Sequence, residues 1–133
     1  MNRTIGLVLC LSALGAAHAG AQATASTPKA MLDASQQKFV GLWEGSYSAH
    51  GSSGGYRLEI AHDSAWKVRS DFVAEQPITS QGTDFKVNGN TATWKQALMG
   101  ESCTTSATLE GAQLKGETTC SQMTFPFQLR KTQ

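Results

Sequence analysis

The stretch that decides the fold lies near the end of the chain, where residues 101–130 read ESCTTSATLEGAQLKGETTCSQMTFPFQLR. Gly111 and Ala112 form the centre of a two-residue connection, and glycine in its first position is typical of a type II′ β-hairpin turn. A hairpin folded about this turn places Cys103 directly opposite Cys120 in a non-hydrogen-bonded pair. The Cα atoms of such a pair lie roughly 4.5 Å apart, which a disulfide accepts. The register therefore predicts a Cys103–Cys120 disulfide bond.

We interpret this bond as a structural crosslink. Closing a loop of this length stabilises a protein by roughly 3 kcal/mol in the chain-entropy model. No second Cys or His pair lies at ligand spacing and there is no C-x-x-C motif, so neither a metal site nor a redox site is predicted. Two free thiols facing each other are the alternative, which only a reducing compartment would favour.

The start of the chain has the features of a secretory signal peptide over residues 1–19. A basic start is followed by an apolar run at 5–14, too short to span a bilayer comfortably, and by small residues with an A-x-A cleavage site after Ala19. Cleavage after Ala23 or Ala25 is the alternative. The sequence therefore predicts export, either to the periplasm or out of the cell.

Removal of the signal peptide also changes the cysteine count and the charge. Of three cysteines, Cys10 leaves with the signal peptide, and the remaining pair fits an oxidising compartment. The full chain has 11 Lys+Arg and 10 Asp+Glu, so the loss of Arg3 leaves a neutral protein. A neutral chain without a Lys/Arg run argues against nucleic acid or an anionic membrane as the partner.

The rest of the chain is interpreted as a linker and one domain. Residues 20–27 are small and polar, which predicts a disordered linker. The domain then spans 28–133, a length that suits a single modest core. Thr27 followed by Pro28 is typical of a helix N-cap and first helical position, and predicts a short helix that ends near Lys38.

After the helix, apolar and polar residues alternate in the manner of half-buried antiparallel strands. Residues 51–55 are interpreted as a flexible loop and residues 74–82 as an irregular connection with a short strand near Ile78. The dipeptide Asn88-Gly89 is a strong hairpin signal. About eight short strands without a crossover helix predict an all-β fold, an antiparallel up-and-down meander closed or nearly closed into a barrel. A two-sheet sandwich is the alternative.

Two segments resemble known barrels. The sequence at 41–45, GLWEG, resembles the G-x-W start of lipocalin- and avidin-like barrels, and the segments at 114–116 and 125–130 are similar to small lipocalin-like domains of exported bacterial proteins. The resemblance implies a calycin-type barrel with Trp43 near its closed end and Arg130 beside it. The polar residues with which avidin-like proteins bind biotin have no matching set here, so the resemblance implies no particular ligand.

No catalytic motif is present: the sequence lacks a G-x-S-x-G elbow, a phosphate-binding loop and H-E-x-x-H. We therefore predict a binding domain without enzymatic activity, cofactor or metal. Apolar walls with a few inward polar groups are typical of a small-ligand cavity, although a packed core would give the same pattern. The candidate ligand-binding residues are Tyr47, Tyr56, Trp66, Ser70, Phe85, Trp94, Gln96, Thr105 and Thr118.

Two further expectations concern where such a domain would bind. The small pair Ala107 and Gly116 predicts room for a cavity along this wall, and a cavity of at least ~300 Å³ would favour a small apolar ligand. The alternative is a protein-interaction module, such as an enzyme inhibitor, that works through loops at 51–55 and 75–81. Small periplasmic protease and lysozyme inhibitors share the size, the export and the single disulfide of this chain.

Overall fold

A computed structural model describes residues 32–133, so the predicted signal peptide, the linker and the Thr27-Pro28 cap lie outside the described residues. Eight antiparallel strands form a closed barrel in which each strand pairs with its neighbours in sequence and the last pairs with the first. The strands are β1 (Gly41–Ala49), β2 (Ser52–His62), β3 (Trp66–Val73), β4 (Ile78–Asn88), β5 (Thr91–Leu98), β6 (Glu101–Glu110), β7 (Gln113–Thr119) and β8 (Thr124–Lys131). The up-and-down barrel is confirmed, and the two-sheet sandwich is wrong.

The barrel has two unlike ends. At the capped end lie the connections at 63–65, 89–90 and 111–112, together with the short helix α1, Ala34–Gln37. At the open end lie the connections at 50–51, 74–77, 99–100 and 120–123, and no helix of the described residues covers them.

Helix α1 is shorter than predicted. It starts at Ala34 because the Asp33 carboxylate accepts a hydrogen bond from the Gln36 backbone N–H, while the Gln36 side chain accepts one from the Asp33 N–H. This capping box fixes the helix start. Hydrogen bonds from the Ser35 hydroxyl and the Gln36 amide also hold the pKa of the Asp33 carboxyl below its ordinary value.

The residues after α1 close the capped end. Phe39 is fully buried and packs edge-to-face against Phe85, with ring centroids 6.4 Å apart. The indole N–H of Trp43 donates to the Phe39 carbonyl at 3.0 Å. Lys131 lies directly opposite Trp43, with its Nζ 5.4 Å from the ring centroid. Arg130 does not take this place, because the alternation turns it to the outer surface.

The β6–β7 hairpin has the predicted register. Gly111 has a positive φ of 63°, as the first residue of the turn requires. Thr105 pairs with Thr118, and the ladder runs on toward Cys103 and Cys120, whose Cα atoms lie 4.3 Å apart and whose sulfurs are bonded. The disulfide prediction is confirmed.

The predicted flexible loop at 51–55 is wrong. Residues 52–55 belong to β2 and pair with β1, and the turn consists of His50 and Gly51, with φ values of 51° and 77°. Close packing leaves no room for a side chain at Gly54, because a Cβ there would lie 2.6 Å from the Val73 carbonyl oxygen and 2.8 Å from the Tyr47 ring.

The irregular connection predicted at 74–82 is also shorter in the structure, because β4 starts at Ile78 and leaves only 74–77 as the connection. Farther along β4, the register with β5 shifts between Thr83 and Lys86. Such a bulge inserts one residue, so the inward side chains change from even to odd positions along β4. The sequence carries no clear sign of this change.

The hairpin after β4 exists, but its turn lies one residue later than Asn88-Gly89. Asn88 pairs with Thr91, and the central residues are Gly89 and Asn90. Gly89 has a φ of 63° and takes the first central position, where a type II′ turn requires glycine.

Gly54 and Gly55, which are adjacent in β2, allow a test of the close packing around Gly54. Gly54→Ala should lower the free energy of unfolding by about 1–3 kcal/mol, because the new methyl group overpacks the contact with Tyr47. Gly55→Ala is the matched control, since its nearest neighbour would be the Val73 Cβ at 3.3 Å. Urea denaturation of both variants measures the difference. Equal losses would contradict the packing role of Gly54.

Candidate functional site: a polar chain inside the barrel and a pocket at its open end

Three aromatic residues of the candidate set, Trp66, Phe85 and Trp94, lie in a packed layer toward the capped end. Phe85 lies between the two tryptophans, with its ring centroid 4.4 Å from that of Trp66 and 5.8 Å from that of Trp94. Phe85 and Trp94 are buried and Trp66 is half-buried. The structure brings these three residues together, but as core packing.

The polar residues of the candidate set form one hydrogen-bonded chain across the barrel interior. The Tyr56 hydroxyl lies 2.9 Å from Ser70 Oγ, which donates to Gln96 Oε1 at 2.9 Å. Gln96 Nε2 donates to Thr105 Oγ1 at 3.2 Å, and the hydroxyl groups of Thr105 and Thr118 are hydrogen-bonded at 2.9 Å. All five residues are buried. We call this set the central polar chain.

The direction of the first bond follows from proton counting. Ser70 has one hydroxyl proton, which it donates to Gln96, so Tyr56 donates to Ser70. Gln96 Oε1 accepts a second bond from the Trp94 indole N–H at 3.2 Å. Burial raises the pKa of the Tyr56 phenol far above its ordinary value, and its hydrogen bonds to Ser70 and Gln96 only partly oppose this rise. Tyr56 therefore stays a neutral donor.

The small-residue wall near Thr105 does not border a cavity. The space beside Gly116 is filled by the ring of Phe127, which a Cβ on Gly116 would approach to 2.8 Å. The same Cβ would lie 2.7 Å from the Ala107 Cα. The expectation of room along this wall is wrong, because an aromatic residue on the neighbouring strand occupies it.

An apolar pocket of about 220 Å³ lies instead at the open end. We call it the mouth pocket. Of the nine candidate ligand-binding residues, Tyr47 alone is among those that line it. The lining residues are Tyr47, Ala49, His50, Phe72, Ile78, Leu98, Met99, Cys120, Met123 and Phe125. Larger depressions, of about 410 and 500 Å³, lie along the outer faces of the strands and are open to solvent.

Aromatic rings and methionines shape the mouth pocket. The rings of Tyr47, Phe72 and Phe125 meet edge-to-face, with centroids 5.3 to 5.9 Å apart. Met99 is 71% exposed and Met123 is half-buried. No sequence signal indicated that this end of the barrel is the one without a cap.

The described residues carry no sign of a metal centre or of a membrane-spanning helix. Within 32–133, no three His, Cys, Asp or Glu side chains lie together in a way that could hold a metal ion. In the same part of the chain, no helix is long and apolar enough to cross a membrane.

The sequence matches no protein-family model and no curated protein. Solved structures of similar fold do exist. A de novo designed fluorescence-activating β-barrel is 16% identical, with a TM-score of 0.57 over 77% of this chain and 100% of the other. Fatty-acid-binding protein 1 of Echinococcus granulosus is 12% identical, with a TM-score of 0.52 over 73% and 99%. The REP1-NXSQ fatty acid transporter is 10% identical, with a TM-score of 0.50 over 73% and 98%. At these identities the likeness shows the fold alone, a closed antiparallel β-barrel.

The buried phenol gives a pH-dependent prediction. Tyr56→Phe should lower the free energy of unfolding by about 1 kcal/mol at neutral pH, because it removes one buried hydrogen bond. Above about pH 10 the unfolded chain releases the Tyr56 proton, whereas the folded protein retains it. Titration of Tyr56 should therefore lower the free energy of unfolding of the native protein by up to ~1.4 kcal/mol per pH unit. The variant lacks this loss. Urea denaturation between neutral pH and about pH 11 should show the two stabilities converging; a constant difference would contradict the buried donor.

Proposed function

We propose that the chain is an exported, non-catalytic binding protein that holds a small apolar ligand in the mouth pocket. The observation that carries this proposal is the position of the pocket: an apolar cavity of about 220 Å³ at the end of the barrel that the helix does not cap. Apolar walls with a few polar groups at the edge are characteristic of small-ligand sites.

The volume limits the ligand. At about 220 Å³ the mouth pocket is smaller than the ~300 Å³ expected of a ligand cavity from the sequence, so it suits a molecule below drug size or one end of a longer one. The interior below it is filled by the central polar chain and the aromatic layer. Two of the similar structures are named for fatty acids. That naming fits a barrel with an apolar ligand, whereas a ligand enclosed along the whole barrel axis does not fit this packed interior.

Export is part of the proposal. The signal-peptide pattern at 1–19 supports it, and the Cys103–Cys120 disulfide fits an oxidising compartment, either the periplasm or the outside of the cell. On this proposal, cleavage leaves a linker at 20–27 ahead of the barrel domain.

The alternative, a protein-interaction module that works through its loops, has less support. Most of the proposed 51–55 loop lies in β2, and residues 78–81 of the other loop lie in β4. The connections that remain at these places are the two-residue turn at 50–51 and the segment at 74–77. Such short connections offer little surface for an inhibitory loop.

Blocking the pocket tests the proposal. Ala49→Leu places a larger side chain in the pocket wall and should weaken the binding of 1-hexanol at least about tenfold, which corresponds to ~1.4 kcal/mol. Ala97→Leu is the matched control, because Ala97 is exposed on the outer face. The methyl NMR signals of Met99 and Met123 report binding, since both residues line the pocket. Shifts confined to other parts of the barrel, or equal binding by both variants, would contradict the proposal.

Expression of the full chain in an exporting bacterial host tests export. The secreted or periplasmic protein should begin at Gly20 and should contain no free thiol, because Cys10 is removed and the remaining pair is bonded. Intact-mass measurement after thiol alkylation checks both features. A protein that stays in the cytoplasm with its first 19 residues attached would contradict export.

A further inference from the structure

We propose that the mouth pocket selects small organic ammonium ions, with the apolar body of the ligand in the pocket and its positive head against Glu101. This inference rests on the proposed function and specifies the ligand class for the same site. Three observations carry it: the position of Glu101, the absence of lysine and arginine from the four connections of the open end, and the aromatic lining.

Glu101 is a carboxylate at the inner edge of the open end. It is the first residue of β6 and shares the inward register of Cys103 and Thr105. It pairs with Leu98, which lines the mouth pocket. The Glu101 side chain is half-buried, and its Oε1 accepts a hydrogen bond from the Ser121 hydroxyl at 2.8 Å. The carboxylate is therefore held at the rim, where a ligand head would emerge.

Glu101 forms no ion pair within residues 32–133. The ion pairs of this part of the chain lie on the outer wall of the barrel, and they join Arg57 to Glu44, Arg69 to Asp71, Lys95 to Asp84 and Lys115 to Glu110. No lysine or arginine occurs in the four connections of the open end, whereas Glu75 lies in one of them and Glu101 borders another. A half-buried carboxylate without a cationic partner favours a positive ligand group.

The aromatic lining of the mouth pocket also favours a positively charged ligand. Tyr47, Phe72 and Phe125 supply ring surfaces to the pocket. The face of an aromatic ring is negative and attracts an ammonium group, while it repels a carboxylate. A fatty acid would have to place its carboxylate beside these rings and beside Glu101, with no lysine or arginine of the open end to neutralise it. Burying an unpaired carboxylate is costly, so anionic ligands are disfavoured.

Three ligands with the same chain and different heads test the inference. We expect n-hexylammonium to bind about threefold more tightly than 1-hexanol, and hexanoate to bind at least about threefold more weakly, as a partly exposed ion pair predicts. NMR titration at low salt and fixed pH, read on the methyl groups of Met99 and Met123, gives the three dissociation constants. Added salt should reduce the differences.

A pair of charge-matched variants locates the effect. Glu101→Gln keeps an oxygen that accepts from Ser121 and should abolish the preference for n-hexylammonium over 1-hexanol. Glu117→Gln is the control, because Glu117 is exposed on β7 and its substitution removes the same charge from the outer wall. It should leave the preference unchanged.

The outcomes separate this inference from the proposed function. Equal binding of the three ligands, or a preference for hexanoate, would overturn the charge selectivity while the pocket still binds. A preference that survives Glu101→Gln would overturn the role of Glu101. If none of the three ligands binds, the proposed function fails as well.

Discussion

β8 pairs with β1 from Lys131 opposite Trp43 to Phe127 opposite Tyr47, and this ladder closes the barrel. Closure removes both sheet edges, so every strand has one face toward the interior. The two strands approach closely at Gly45, where a Cβ would lie 2.8 Å from the Leu129 Cα. With eight strands the interior is just wide enough for side chains to fill it, and the inward residues therefore decide whether any cavity remains.

The inward residues fill the barrel unequally along its axis. Phe39 and the aromatic layer occupy the capped end, and the central polar chain crosses the middle. Each bond of that chain contributes only about 0.5–1.5 kcal/mol net, but an unpaired member would cost about 1–3 kcal/mol. The chain joins β2, β3, β5, β6 and β7, so a slip in the register of one of them would leave buried polar groups unpaired. The open end has neither a helix nor such a chain, and the mouth pocket lies there.

Much of this arrangement followed from local pattern. The alternation identified Ser70, Gln96 and Thr118 as inward, and the Gly111 turn was enough to pair Cys103 with Cys120, because register is a property of two adjacent strands. Of the bonds among these polar residues, the one from Ser70 to Gln96 was not predictable, because it joins β3 to β5, which are not neighbours in the barrel. Ser80, which is buried and donates to the Ala97 carbonyl at 2.8 Å, was missed because it lies in a segment interpreted as irregular.

The glycines show why local signals were insufficient elsewhere. Glycine frees the backbone, but it also lets other groups approach, and the sequence does not distinguish the two. Gly54 was interpreted as flexible although it lies under the Tyr47 ring, and Gly116 was interpreted as leaving space although the Phe127 ring fills it. The mouth pocket was missed for a related reason: its existence depends on which end the helix caps, a tertiary property.

The Cys103–Cys120 disulfide lies beside the mouth pocket, so it stabilises the pocket wall as well as the fold. The hydrogen-bonded pairing of β6 with β7 ends at Thr104 and Thr119, and the disulfide joins the next pair toward the open end. Beyond it, the Cys120 N–H donates to the Met123 carbonyl at 2.7 Å, which closes the connection to β8. Cys120 and Met123 line the mouth pocket, and Ser121 between them holds Glu101. The covalent bond therefore fixes this wall of the pocket where the strand ladder no longer does.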